Sequence, residues 1–121
     1  MYKIYFYKNQ KGKMPVHDYL NELRCKNDKS SRIKANKIND YIEILSQHGL
    51  AIGEPFIKHL EGEIWELRPI RDRILFVAWV DQSFVLLHVF MKRTQKTPKK
   101  EINKAKEELA DLIARGVDNE K

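Results

Sequence analysis

The stretch Glu63–Met91, EIWELRPIRDRILFVAWVDQSFVLLHVFM, decides the fold. Its first part, EIWELRPI, alternates, with Trp65 and Leu67 on one side and Glu66 and Arg68 on the other. That is the period of a strand covered on one face. RILFVAWV and FVLLHVFM are almost unbroken apolar runs, which predicts strands at the centre of a sheet covered on both faces. The breaks near Arg71-Asp72 and Asp81-Gln82-Ser83 are short enough for antiparallel hairpins. A three-stranded meander follows, and the rest of the chain must supply its covering layers.

Upstream, Tyr2 to Lys8 (YKIYFYK) reads as a further strand, closed by the NQKGK turn. Pro15 suits the first turn of a helix, where its missing N–H is harmless. Val16, Tyr19, Leu20 and Leu23 then follow at helical spacing to about Lys26. Asp28 or Ser30 can cap a second, longer helix with the stripe Ile33, Ile38, Tyr41, Ile42 and Leu45, and Gly49 stops it. A linker with Gly53 and Pro55 leads into the meander. Downstream, Thr97 is expected to cap a last helix with Pro98 at its first position. Its buried stripe reads Ile102, Ala105, Leu109, Leu112 and Ile113, and Gly116 ends it. The order β-α-α-β-β-β-α predicts one α+β domain over residues 1–121.

Composition agrees with a folded chain: 42% hydrophobic and 33% charged residues read as globular and soluble rather than disordered. The longest strongly apolar run, Phe84 to Met91, is too short to span a bilayer, and no signal-peptide pattern opens the chain. The single Cys25 excludes an internal disulfide, fits a reducing cytosol, and in its helix is expected to pack. Cys and His are too sparse for a closed zinc site, so no metal is expected. The net charge of +6 is concentrated. Residues 1–39 hold ten Lys/Arg against three acids, and residues 84–100 hold five against none. Such patches suit a polyanion, RNA or DNA first, although a solvated face has the same composition. Lys99 and Lys100 fall in the first turn of the last helix, where the dipole disfavours cations. Together with the free N–H groups they suggest an anion site, unless Glu101 and solvent offset them.

WELRPIRDRILFVAWVD and VLLHVFMKRTQKTPKKEINKAKEELAD resemble the RelE/ParE superfamily of toxins from bacterial toxin–antitoxin pairs. The similarity is greatest to the HigB branch, which includes phage-derived relatives. It rests on W-E-L-R, the next strand opened by Arg73, and the segment from Leu86 to Pro98, L-L-H-x-F-x-K-[KR]-T-Q-K-T-P. The resemblance implies a RelE-like α+β fold and a cytoplasmic, cofactor-free endoribonuclease that cuts mRNA on the ribosome. It also implies a cognate antitoxin with a helix-turn-helix domain, bound to the toxin in a hetero-oligomer.

Metal-free RNA cleavage needs a base for the 2′-hydroxyl, an acid for the leaving 5′-oxygen and cations on the phosphorane. Arg68 and Arg73 flank one tight turn and should lie together, their planar forks suited to phosphate oxygens. An ion pair with Glu66 or Asp72 is the alternative. Arg73 aligns with the arginine that opens the third strand in RelE-like toxins. Lys92 is expected at the scissile phosphate, and Arg93, Lys96, Lys99 and Lys58 along neighbouring RNA backbone. Alternation puts Leu86, His88, Phe90 and Lys92 on one face, so His88 is either a proton-transfer group or a hydrogen-bonded core residue. RelE resembles K-x-K-L-R where this chain has Ile64-Trp65-Glu66-Leu67-Arg68, so both lysines are missing. Glu54, where related toxins also place a glutamate, or Glu66 is then the candidate base, each with a turn or ion-pair role as its alternative. A different class on the same scaffold is the ParE-like toxin, which poisons DNA gyrase without chemistry. The basic Lys26–Lys37 stretch is the expected antitoxin dock, or else a solvated helix face.

Overall fold

In the computed structural model, which describes residues 1–117, the two apolar runs do form the middle of a sheet. The elements are β1 (Lys3–Phe6), α1 (Pro15–Cys25), α2 (Lys29–His48), a 3₁₀ turn (Gly49–Ile52) and β2 (Ile57–Glu61). After these come β3 (Ile64–Leu67), β4 (Asp72–Trp79), β5 (Ser83–Met91) and α3 (Lys99–Arg115). The sheet order is β1-β5-β4-β3-β2, antiparallel throughout except that β1 runs parallel to β5. The chain is therefore α+β, with helices on both faces of a five-stranded mixed sheet.

Period two explains the two cores. Ile74, Phe76, Phe84 and Leu86 face α1 and α2, where they meet Val16, Leu20, Leu23, Ala35, Ile38 and Leu45. Leu75, Val77, Val85 and Leu87 face α3, against Ala105 and Leu112. Each fully buried aliphatic or phenyl side chain contributes roughly 1.5–3 kcal/mol. Near-continuous hydrophobicity in β4 and β5 is thus what two covered faces require. Pro15 opens α1, and Asp28 caps α2 by accepting from Ser31 N at 2.7 Å, which lowers the Asp28 carboxyl pKa. Gly49 stops α2 at φ 65°, and a Cβ there would lie 2.7 Å from the Tyr2 ring. The positive φ favours glycine there, and any larger residue would also have to displace the Tyr2 ring.

Several expectations change. The meander has four strands, because the supposed linker continues into β2, a short edge strand paired with β3 through a bulge between His59 and Glu61. Its outward residues Lys58 and His59 are exposed, so the run lacked an apolar signature. Ile33 and Ile113 are exposed (47% and 61%) rather than buried, because each lies off the side of its helix that meets the sheet. Cys25, at the last turn of α1, is exposed and does not pack in the core. Pro98, not Thr97, is the N-cap of α3, and it has no side-chain capping bond. Among the described residues, no helix is long and apolar enough to cross a membrane.

The buried face of α3 contains one polar surprise: Ile102, Ala105, Glu108 and Leu112 point inward. Glu108 Oε1 is buried without a hydrogen-bond partner among the described residues. Burial raises its carboxyl pKa from the usual 4.5 to about 8, with nearby Lys104 opposing the shift. The folded chain therefore holds this proton up to about pH 8, while the unfolded chain releases it near 4.5. The stability this provides is complete below pH 4.5 and falls as pH rises through 8. Glu108→Gln is expected to remove that slope. Its advantage in urea melts should widen from pH 5 to pH 8, reaching on the order of 2–4 kcal/mol after allowance for partial solvent access. A constant gap across that window would show that Glu108 does not titrate with folding.

Candidate functional site

On the α3 face of the sheet, rows of cross-strand neighbours build a cleft. Glu66 on β3 lies between Lys58 on β2 and Leu75 on β4, and Leu75 in turn pairs with His88 on β5. One row toward the sheet end, Arg68 follows β3, and Arg73 on β4 pairs with Phe90 on β5. Leu67 pairs with Ile74, so the turn between them brings Arg68 and Arg73 together, as the short hairpin predicted.

The two arginines are held differently. Arg73 is buried at 6% exposure, and its Nη1 donates to the carbonyls of Ile70 (3.0 Å) and Asp72 (2.9 Å). Burial lowers its guanidinium pKa, helped by the neighbouring Arg68 charge and opposed by Glu66 and Asp72. It nonetheless stays charged, because arginine starts so high. The two carbonyl bonds fix the plane of the fork, and Nε and Nη2 have no hydrogen-bond partner among the described residues. Arg68 Nε is sequestered 3.4 Å from Glu66 Oε1, without hydrogen-bond geometry. The turn joining these strands puts Ile70 at φ 53°, strained for a β-branched residue by roughly 1–3 kcal/mol.

Glu66 is the buried anion at the centre, 1% exposed. Its Oε2 accepts from Thr97 Oγ1 at 2.6 Å, across the segment that joins β5 to α3. Thr94 Oγ1 donates to the Lys96 carbonyl at 2.6 Å and folds that segment over the cleft. Lys92, Arg93 and Lys96 thereby line the same slot as Glu66, Arg68 and Arg73. Five cations surround one carboxylate. The slot itself is narrow, about 10 Å³, and a wider hollow of about 520 Å³ joins it through Lys92, Arg93, Thr94 and Gln95. Arg71 and Ile70 complete the lining of that hollow.

Other expected site residues lie elsewhere. A bulge in β5 shifts the pairing, Leu75 meeting His88 and Phe76 meeting Leu86, which leaves Leu87 as the extra residue. Leu86 therefore faces the helix pair, while His88 faces α3 with Phe90, on which it stacks at 5.9 Å. The strict alternation expected through Leu86 fails at this bulge. His88 Nε2 lies 2.7 Å from Glu101 Oε1 of α3 and does not line the slot. Glu54 is exposed in the turn before β2 and does not line the slot either. Lys99 is held by Glu61 (2.9 Å to each oxygen), and Glu61 also pairs with Lys106. These two ammonium groups lower the Glu61 carboxyl to about pKa 2, Lys106 first. The cation at the start of α3 is thus answered by a side chain from β2. Lys58 is exposed, the cross-strand neighbour of Glu66. Cleft contacts that the sequence did not reveal are Thr97, whose threonine-proline pair reads as a helix cap, and Arg71 with Gln95 at the mouth. Among the described residues, no group of His, Cys, Asp and Glu is placed to hold a metal ion.

Thr97→Val keeps the side-chain shape and removes the donor to a buried carboxylate oxygen. It should cost about 1–3 kcal/mol in chemical denaturation. A cost within error of zero would mean that Glu66 Oε2 finds another donor.

The fold and cleft together define a small α+β protein with a strongly cationic cleft built on a buried carboxylate. The chain belongs to the family described as Phage derived protein Gp49-like (DUF891), a toxin-like family whose model matches residues 28–110. That range covers α2, the four-stranded meander, every residue of the slot and most of α3. Comparison with curated proteins finds no match.

Proposed function

We propose that the protein is the toxin of a toxin–antitoxin pair, a HigB-like member of the RelE/ParE superfamily that cuts mRNA on the ribosome. The observation that carries this reading is the buried Glu66 carboxylate set among Arg68, Arg73, Lys92, Arg93 and Lys96. Polyanion binding alone needs only surface cations. In-line attack by a 2′-hydroxyl also needs a general base beside them, a role the Glu66 carboxylate can fill.

In this reaction Glu66 accepts the 2′-hydroxyl proton as the 2′-oxygen bonds to phosphorus. Arg73, its plane fixed by the two carbonyls, stabilises the charge growing on the non-bridging oxygens, with Arg68 beside it. As the bond to the 5′-oxygen breaks, a slot lysine, Lys92 or Lys96, protonates that oxygen. The products are a 2′,3′-cyclic phosphate and a 5′-hydroxyl. Arg93, Arg71 and the exposed Lys58 contact flanking backbone, which adds affinity without sequence information. His88 and Glu54 take no part in this scheme.

Induced expression followed by pulse labelling is the test. Protein synthesis should stop before DNA synthesis, and primer extension on cellular mRNA should show cuts at a fixed codon phase. Arrest of DNA synthesis first, with intact mRNA, would instead identify a gyrase poison on this scaffold.

A further inference from the structure

Three of the seven large apolar side chains exposed among the described residues meet at one place: Ile33 (47%), Ile70 (51%) and Met91 (48%). They line a groove of about 620 Å³ between the start of α2, the turn before β4 and the end of β5. Lys29, Lys34 and Arg71 also line it. The acid in its wall, Asp72, is 2% exposed and already engaged, accepting from Tyr19 Oη at 2.8 Å and pairing with Lys34 at 3.6 Å. Lys29 and Arg71 make no ion pair among the described residues. The groove is thus an aliphatic floor with an uncompensated basic rim.

We infer that this groove docks an amphipathic helix of a partner protein, with aliphatic anchors on one face and acidic residues on both flanks. Aliphatic floors of this size accept apolar helix faces through anchors one turn apart. The basic rim selects acidic flanks and speeds their capture. RNA fits less well, because base recognition on single strands relies on aromatic platforms and this lining has no aromatic ring. The inference deepens the proposed function, on which it rests only for the partner's identity as the inhibitor.

The location has a consequence for control. Ile70, the outward anchor, holds Arg73 Nη1 through its carbonyl, and Arg71 borders both this groove and the hollow at the cleft mouth. A helix seated on Ile70 therefore presses on the turn that orients Arg73, and it crowds the cleft entrance without filling the slot. It also uses the basic start of α2, which joins the turn and β5 in forming the surface.

The test is a methyl-NMR titration of the full chain, labelled at isoleucine and methionine. The probe is a lactam-bridged helical peptide of 16 residues, with leucine on one face and glutamate on both flanks. Its counterpart with every glutamate replaced by lysine and a 12-nucleotide oligouridylate are titrated in parallel. The acidic peptide should shift the Ile33, Ile70 and Met91 methyls, bind at least tenfold tighter than the basic peptide and weaken with added salt. Ile70→Asp should abolish those shifts, while Ile113→Asp, at an exposed apolar position on α3, should leave them. Unmoved methyls, equal binding of the two peptides, or larger shifts from the oligouridylate would each overturn the inference. None of these readouts involves RNA cleavage, so failure here is separate from failure of the proposed reaction.

Discussion

Arg73→Ala is expected to abolish growth arrest and to slow mRNA cleavage by about 10²–10³-fold, the usual loss when one preorganised donor to a developing oxyanion is removed. The arginine is also structural: without it the Ile70 and Asp72 carbonyls lose the Nη1 donor. That loss predicts a stability cost of roughly 1–3 kcal/mol, so a thermal melt must accompany the assay. Arg73→Lys separates the two contributions. It keeps a positive charge near the phosphate but cannot hold both carbonyls and still present a planar fork. It should fold, bind RNA and cleave poorly. If a folded Arg73→Ala protein cuts at the wild-type rate, the phosphorane is stabilised by other groups.

Glu66→Gln should be nearly as damaging, with a different signature. The amide keeps the shape of the carboxylate and can still accept from Thr97 Oγ1, so the segment from Lys92 to Pro98 should stay folded over the cleft. It cannot take the 2′-hydroxyl proton. Removal of a positioned general base lowers cleavage by about 10²–10⁴-fold. Affinity for the ribosome–mRNA complex should hold or rise, because the cleft loses its negative charge. Single-turnover cleavage beside a binding isotherm distinguishes the outcomes. An equal fall in both would make Glu66 a structural ion-pair partner of Arg68, and unchanged cleavage would move the base elsewhere. Because Glu54 and His88 stand outside the slot, Glu54→Gln and His88→Gln should leave the chemical step near wild type.

Much of this site was legible because it is local. Leu67 and Ile74 pair across a tight turn, so any strand assignment that respects the apolar periods puts Arg68 and Arg73 together. Lys92, Arg93 and Lys96 follow β5 directly and reach the same end of the sheet. His88 was harder, since period two holds only while a strand is regular. The extra Leu87 inverts the alternation from one side of the bulge to the other. Glu66 reads as a strand residue alternating with Leu67, and nothing in that pattern says whether water or α3 covers its face.

The sequence by itself determined the elements whose causes lie within a few residues. These are the double-faced strands β4 and β5, the helix opened by Pro15, the Gly49 and Gly116 stops and the paired arginines. Periodicity, capping and backbone sterics act over one or two turns, so the chain states them directly. Tertiary structure decided what depends on surfaces distant in sequence. It placed β1 parallel beside β5, made an edge strand of residues 57–61, sent Thr97 to Glu66 and Lys99 to Glu61, and left Ile33, Ile70 and Met91 around one groove. Apart from the β2–β3 hairpin, each of those contacts requires closing a long loop, and which closure wins depends on how all the apolar faces pack at once. No local pattern encodes that choice.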